Sequence, residues 1–145
     1  MSGIHISTEI SAPPEKVWQE LRDISRHVNW MNDAESITFT TDQREDVGTS
    51  FVCRTKVGPF VTNDVMTITS WRENVEMGVT HTGLITGSGR FRLKSSAVGT
   101  VLEWSEDLTF PWWALGPLGA LAARPILVLI WKKNLRNFAM LFGAA

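Results

Sequence analysis

The chain before Pro111 consists mostly of short segments in which apolar and polar residues alternate, whereas the chain after Pro111 is one long, mainly apolar segment. Alternation with a period of two is typical of a β-strand that has one buried and one solvated face. A sheet built from such strands has a single apolar face to bury, and this sequence offers one long helix to cover it. The pattern therefore predicts an α+β fold in which a curved antiparallel sheet wraps around a C-terminal helix.

The predicted order of elements is one strand, two short helices, a run of six strands and the long helix. The first strand is expected at Ile4–Ser11, where every second residue is Ile or Thr. Pro13 and Pro14 end this strand, and Pro14 is suited to the first turn of a helix that continues to Asp23. Ser25 is predicted to cap a second short helix. The sheet is thus expected to contain six to seven strands.

Each of the later strands is predicted to bury one side. Their inward residues are Ile37, Phe39 and Thr41; Phe51, Cys53, Thr55 and Val57; Val75, Met77, Val79 and His81; Phe91 and Leu93; and Leu102, Trp104, Glu106, Leu108 and Phe110. The segment Phe60–Trp71 is also strand-like, but its mixed pattern does not indicate which side faces inward.

The long apolar segment raises the question of a membrane span. Between Phe110 and Trp131 the only charged residue is Arg124, and about 20 apolar residues can cross a bilayer. Prolines and glycines interrupt this segment, however, and a proline inside a helix costs roughly 3 kcal/mol. The interpretation is a loop followed by a buried helix at Pro117–Phe142. Its sheet-facing stripe is predicted to be Leu121, Val128, Trp131, Leu135, Phe138 and Phe142.

Length and composition fit one globular domain of 145 residues. The net charge of −1 gives no basic surface for nucleic acid, so no nucleic-acid partner is predicted. Cys53 is the only cysteine, which excludes an intrachain disulfide, and it is expected to be a buried, inert thiol. The first residues lack the basic and apolar regions of a signal peptide, which favours the cytoplasm. His5, His27 and His81 lack metal-ligand spacing, so no metal and no other cofactor is predicted.

Several segments resemble the SRPBCC superfamily, which includes START domains, birch-pollen-allergen relatives and the polyketide cyclase/dehydrase and lipid transport group. The resemblance is carried by Ile10–Trp18, Asp23–Trp30, Val101–Trp104, Gly116–Gly119 and Asn134–Phe138, in the same order as the elements of that superfamily. It implies a single helix-grip domain over residues 1–145, with a cavity for lipids, sterols, polyketides or other hydrophobic molecules. It implies no catalytic residue, because the superfamily has no universal catalytic motif.

Two ionisable residues, His81 and Glu106, are predicted to face inward among apolar neighbours. In a cavity they could orient a ligand or act as a general acid–base pair, whereas at a sheet end they would simply be solvated. Arg124 could pair with Glu106, hold a ligand carboxylate or extend into solvent. The predicted ligand-binding residues are Trp104, Trp131, Phe91, His81, Glu106 and Phe138.

A second apolar set is expected on the opposite side of the long helix. Its members are Ile126, Leu129 and Ile130. They share a side with Lys133 and Arg136, which are costly to bury unpaired. This patch is consistent with a homodimer contact, a membrane-surface contact or a cavity lid, unless the loop around Trp112 covers it.

Three functions are compatible with these features. The leading hypothesis is a protein that binds or carries a small hydrophobic molecule between the sheet and the helix. The first alternative is an enzyme of the polyketide cyclase/dehydratase type that uses His81 or Glu106. The second alternative is a regulatory protein–protein interaction module that works through the apolar patch.

Overall fold

The computed structural model describes residues 3–111 and 116–143, without the side chains of Pro117 and Ala120. Its elements are β1 (Gly3–Ile10), α1 (Pro14–Leu21), a 3₁₀ helix (Ile24–Asn29), β2 (Ala34–Phe39), β3 (Ser50–Val57), β4 (Phe60–Arg72), β5 (Glu76–Thr82), β6 (Thr86–Ser95), β7 (Thr100–Thr109) and α2 (Gly116–Met140). This is the predicted order of one strand, two short helices, six strands and one long helix.

All seven strands form one antiparallel sheet in the order β1-β7-β6-β5-β4-β3-β2. The strands β2 to β7 follow one another as neighbours, and β1 joins the sheet at the far side of β7. In that pairing Ile4 lies opposite Glu106, and Ile6 lies opposite Trp104. The first and last strands of the chain therefore meet, which confirms the predicted sheet and its helix-grip arrangement.

The second half of α2 packs on the inner face of this sheet. Trp131, Leu135 and Phe138 are buried, and the helix lies closest to β1 and β7. On the sheet side the same core contains Phe91 and Trp104. The apolar periodicity of the helix and the alternation of the strands thus meet in one core, as the sequence predicts.

A polar clamp fixes the position of α2 along the sheet. The carboxylate of Asp33, just before β2, accepts hydrogen bonds from Trp131 Nε1 at 3.3 Å and from Asn134 Nδ2 at 2.8 Å. The side-chain oxygen of Asn134 accepts a third bond, from the backbone N–H of Asn32 at 2.9 Å. Asn134 is completely buried, so its polar atoms need these partners. The clamp sets where Trp131 meets the sheet.

The second short helix differs from the prediction in type and in its first residues. It is a 3₁₀ helix that begins at Ile24 after Asp23, and no side chain caps it. Ser25, the predicted cap, donates its hydroxyl hydrogen bond to the carboxylate of Asp23 instead. The Ser25 hydroxyl bonds a nearby side-chain carboxylate and not a backbone N–H at the start of the helix. The prediction that Ser25 caps this helix is therefore wrong.

The first half of α2 is more exposed than predicted. Leu121 is expected in the buried stripe but is 59% exposed. Helical spacing shows which residues share a side, but not how far along the helix the sheet covers that side. On the opposite side Ile126 and Leu129 are exposed as predicted, whereas Ile130 is half-buried and packs against the core.

The segment 112–115, which contains Trp112 of the predicted covering loop, lies outside the described residues. Within the described part of the chain, no helix has the length and apolar character needed to span a bilayer.

Two leucines of α2 provide a test of this packing. Leu135→Ala removes a completely buried side chain and should lower the free energy of unfolding by about 2–5 kcal/mol. Leu129→Ala is the matched control, because Leu129 is 71% exposed, and its effect should stay within about 0.5 kcal/mol. Urea denaturation followed by tryptophan fluorescence measures both, and equal effects would contradict the assigned helix orientation.

Candidate functional site

The two ionisable residues singled out in the sequence meet on the inner face of the sheet. The carboxylate of Glu106, on β7, accepts hydrogen bonds from His81 Nε2 and from Trp104 Nε1, both at 3.0 Å. Glu106 is only 6% exposed, and the side chain of His81 on β5 is also mostly buried. The expectation that the two residues face inward is confirmed, and they do not sit solvated at a sheet end.

A glycine of β6 allows this bond to form across an intervening strand. Gly89 lies opposite Glu106, and its near neighbour Gly87 lies opposite His81. A Cβ atom at Gly89 would lie 2.5 Å from both carboxylate oxygens of Glu106. The absence of a side chain at this position therefore provides the space in which the carboxylate reaches past β6 to the imidazole.

The pair is electrostatically coupled. Burial disfavours the charged imidazole of His81, but the hydrogen bond and the negative charge of Glu106 outweigh this cost and raise the pKa of His81. The charge of Asp64 acts in the same direction. His81 therefore stays protonated to a higher pH than an ordinary histidine, and the pair then holds opposite charges.

Asp64 on β4 is a third ionisable residue of this region and was not identified from the sequence. It lies opposite Cys53, whose thiol is buried as expected. The Oδ2 atom of Asp64 accepts a hydrogen bond from the Thr62 hydroxyl at 3.2 Å, whereas the buried Oδ1 atom has no partner among the described residues. Burial raises the pKa of this carboxyl group. Asp64 thus offers an unused acceptor beside the pair.

The mixed pattern of β4 has a structural cause. Its pairing with β5 shifts register between Ile68 and Ser70, which is the mark of a β-bulge. The bulge inserts one extra residue, so the alternation of inward and outward side chains changes phase at this point. Ile68 before the bulge and Trp71 after it therefore both contribute to the core. The alternation that places Asp64 on the inner face can be recognised only in the residues before the bulge.

The predicted aromatic residues line the deep side of this region. The rings of Trp104 and Trp131 stack at a centroid distance of 5.1 Å, and Phe91 lies 5.0 Å from Trp104. Phe138 packs against Trp30 at 4.9 Å. These contacts leave no room for a molecule between the two stacked indoles. The ligand-binding role of these four predicted aromatics stays a prediction.

Among the described residues, the inner face is only partly covered at the end of the sheet where β3 and β7 end and β4 begins. Val57, Thr62, Asp64 and Leu108 are half-buried there, in contrast to the fully buried core under Trp131. Arg124 is exposed and forms no ion pair with Glu106, so the suggested Arg124–Glu106 pair is wrong, whereas a contact of Arg124 with a ligand carboxylate stays a prediction. At this partly covered end of the inner face, the polar side chains of Thr62 and Asp64 lie near the apolar side chains of Val57 and Leu108.

Two depressions are present on the described surface. One of about 330 Å³ opens on the outer face beside His5, Arg90 and Ser105, and its lining also includes Gly89 and Glu106. The other, of about 440 Å³, lies beside β2 near Arg44. Neither is bordered by α2. In residues 3–111 and 116–143 no three His, Cys, Asp or Glu side chains are placed to hold a metal ion.

Comparisons with known proteins identify relatives by sequence and by fold. The model of the family "Polyketide cyclase / dehydrase and lipid transport" matches residues 1–143. No curated protein matches the sequence. Among solved structures, the protein TTHA0849 from Thermus thermophilus superposes with a TM-score of 0.80 at 13% identity, over 95% of this chain and 94% of that one.

Two further structures share the fold. The Zhui aromatase/cyclase from Streptomyces sp. R1128 has a TM-score of 0.72 at 15% identity, covering 95% of this chain and 91% of its own. Ara h 8.0201 has a TM-score of 0.67 at 12% identity, covering 94% and 97%. At these identities the likeness concerns the helix-grip fold alone.

The glycine beside the carboxylate can be tested directly. Gly89→Ala should displace the Glu106 carboxylate, because the new Cβ occupies its place, and the pKa of His81 should then fall as burial dominates. An NMR titration of the His81 imidazole measures the change. Ser88→Ala, its neighbour on the exposed side of the same strand, is the matched control. An unchanged His81 pKa in Gly89→Ala would contradict the proposed role of this glycine.

Proposed function

Because the chain belongs to the polyketide cyclase / dehydrase and lipid transport family, we propose that it binds a small, mainly hydrophobic molecule at the partly covered end of the inner sheet face. The observation that carries this proposal is the coupled pair of His81 and Glu106, with the unused acceptor of Asp64 nearby. Buried ionisable groups are costly, and a ligand that uses them gives a reason for their presence.

The apolar body of the molecule would be held by side chains that now lie half-buried. Val57 and Leu108 have apolar surface left to cover at this end of the sheet. Covering such surface contributes about 25 cal/mol for each Å² removed from water. A deeper wall would be formed by the core residues Phe91 and Trp104 of the sheet and by Trp131 and Phe138 of α2. A larger ligand would have to displace the Trp131 ring from Trp104.

The polar end of the molecule would be oriented by the ionisable residues. Protonated His81 uses Nε2 for Glu106, so its second nitrogen, Nδ1, can donate to a carbonyl or hydroxyl oxygen. Asp64 Oδ1 can accept a hydrogen bond from a hydroxyl group. An aromatic or polyketide-like molecule that carries a hydroxyl group satisfies both requirements better than a pure hydrocarbon does.

A second candidate function is catalysis of the polyketide cyclase/dehydratase type. The raised pKa of His81 keeps its imidazole protonated to a higher pH than an ordinary histidine, and this group could protonate a leaving hydroxyl. A carboxylate close to it could remove a proton from the same substrate. The specific observation in favour of this alternative is that two carboxyl groups, Glu106 and Asp64, influence the same imidazole.

A location in the cytoplasm stays the expectation from the sequence.

A binding titration with two probes tests the binding proposal. 2-Naphthol carries a hydroxyl group and naphthalene does not, and both should change the tryptophan emission of the wild-type protein. His81→Gln and Asp64→Ala, which leaves no side-chain acceptor, should each weaken 2-naphthol binding by about 2- to 12-fold, the range for one lost hydrogen bond. Naphthalene binding should change little.

His5→Gln serves as the matched control, because His5 lies on the outer face of the sheet and bonds Ser105. If neither probe alters the emission, or if His5→Gln weakens 2-naphthol as much as His81→Gln does, the proposed site is wrong.

A further inference from the structure

We propose that the outward side of α2 docks on the surface of a lipid bilayer that contains anionic lipids. This side is defined by Leu118, Ile126, Leu129, Lys132, Lys133 and Arg136, all of which are exposed. Its first half is apolar and its second half is basic. The proposal concerns the side of the helix that faces away from the sheet and is independent of the ligand site.

The apolar half carries more exposed hydrocarbon than a solvated helix needs. Leu118 is 67% exposed and Leu129 is 71% exposed, and Ile126 lies between them on the same side. On a surface helix this side is ordinarily polar, because exposed large apolar residues favour association. On α2 this side is apolar instead, because its first half exposes leucine and isoleucine side chains to the outside.

The basic half gives the same side a single sign of charge. The helix contains Arg124, Lys132, Lys133 and Arg136 and no Asp or Glu. The chain as a whole has a net charge of −1, so the residues outside α2 carry a net charge of −5. None of the ion pairs formed by the described residues involves a cation of α2. The helix thus carries a net positive charge beside its exposed apolar side chains, whereas the rest of the chain is net acidic.

Charge complementarity favours an anionic lipid surface over a second copy of the chain. In a two-fold symmetric contact the same side of α2 meets itself. Lys132, Lys133 and Arg136 would then face either the same cations or the apolar half of the partner helix, and no carboxylate of α2 could neutralise them. A bilayer surface offers anionic headgroups to the basic half and acyl chains to the apolar half, as it does for interfacial amphipathic helices.

Co-sedimentation with lipid vesicles tests this assignment. The full chain should sediment with vesicles of phosphatidylcholine mixed with phosphatidylserine, and much less with phosphatidylcholine alone. The double variant Lys133→Gln/Arg136→Gln should bind the mixed vesicles about 25-fold more weakly, at about fivefold for each cation. The double variant Leu118→Ser/Leu129→Ser should also lose binding. Salt at about 1 M should release the wild-type protein, because charge interactions are then screened within about 3 Å.

The control is Lys16→Gln/Lys56→Gln, which removes two exposed lysines outside α2 and should bind as the wild type does. Circular dichroism of every variant checks that the fold is retained. Failure of the wild type to sediment with the mixed vesicles would overturn the proposal, as would equal binding by the two charge variants. A dimer in analytical ultracentrifugation that Leu118→Ser/Leu129→Ser dissociates would assign this side to a second copy instead.

Discussion

The apolar inner face of the seven-stranded sheet has to be covered, and α2 shares this cover with α1 and the 3₁₀ helix, which contribute Trp18 and Ile24 to the same core. This constraint determines where the helices and the candidate site lie. The second half of α2 meets it with Trp131, Leu135 and Phe138, and the Asp33 carboxylate holds this part of the helix in place through two side-chain hydrogen bonds. The described residues of the first half do not complete the cover, so one end of the inner face is partly exposed among the described residues. The candidate site follows from this incomplete cover.

The polar residues of the inner face stand at the boundary between the closed and the partly covered regions. Glu106 is bonded by Trp104 of the aromatic core on one side and by His81 on the other. The carboxylate therefore links the packed core to the ionisable residues His81 and Asp64. A buried pair of this kind is weak evidence for stability, because desolvation can cancel the attraction between the charges. Its position inside an apolar face is the reason for proposing a binding or chemical role.

The sequence was sufficient for the architecture, because period-two alternation and helical spacing report directly on which sides are buried. It also placed His81 and Glu106 on the inner face, since both continue an apolar alternation. Their bond could not be predicted, because it depends on Gly89 of the strand that lies between them. Asp64 was missed because the bulge in β4 changes the alternation after Ile68. The exposure of Leu121 was missed because helical spacing does not show how far along the helix the sheet covers its inward side.

The central claim, that a small hydroxylated apolar molecule binds at the partly covered end of the inner face, is tested most directly by NMR. Amide and side-chain resonances can be followed while 2-naphthol is added to the isotope-labelled protein. The account predicts saturable shifts centred on Val57, Asp64, His81 and Leu108, with small changes at His5 and Ser105 of the outer depression. Shifts confined to the outer face, or none that saturate, would contradict it.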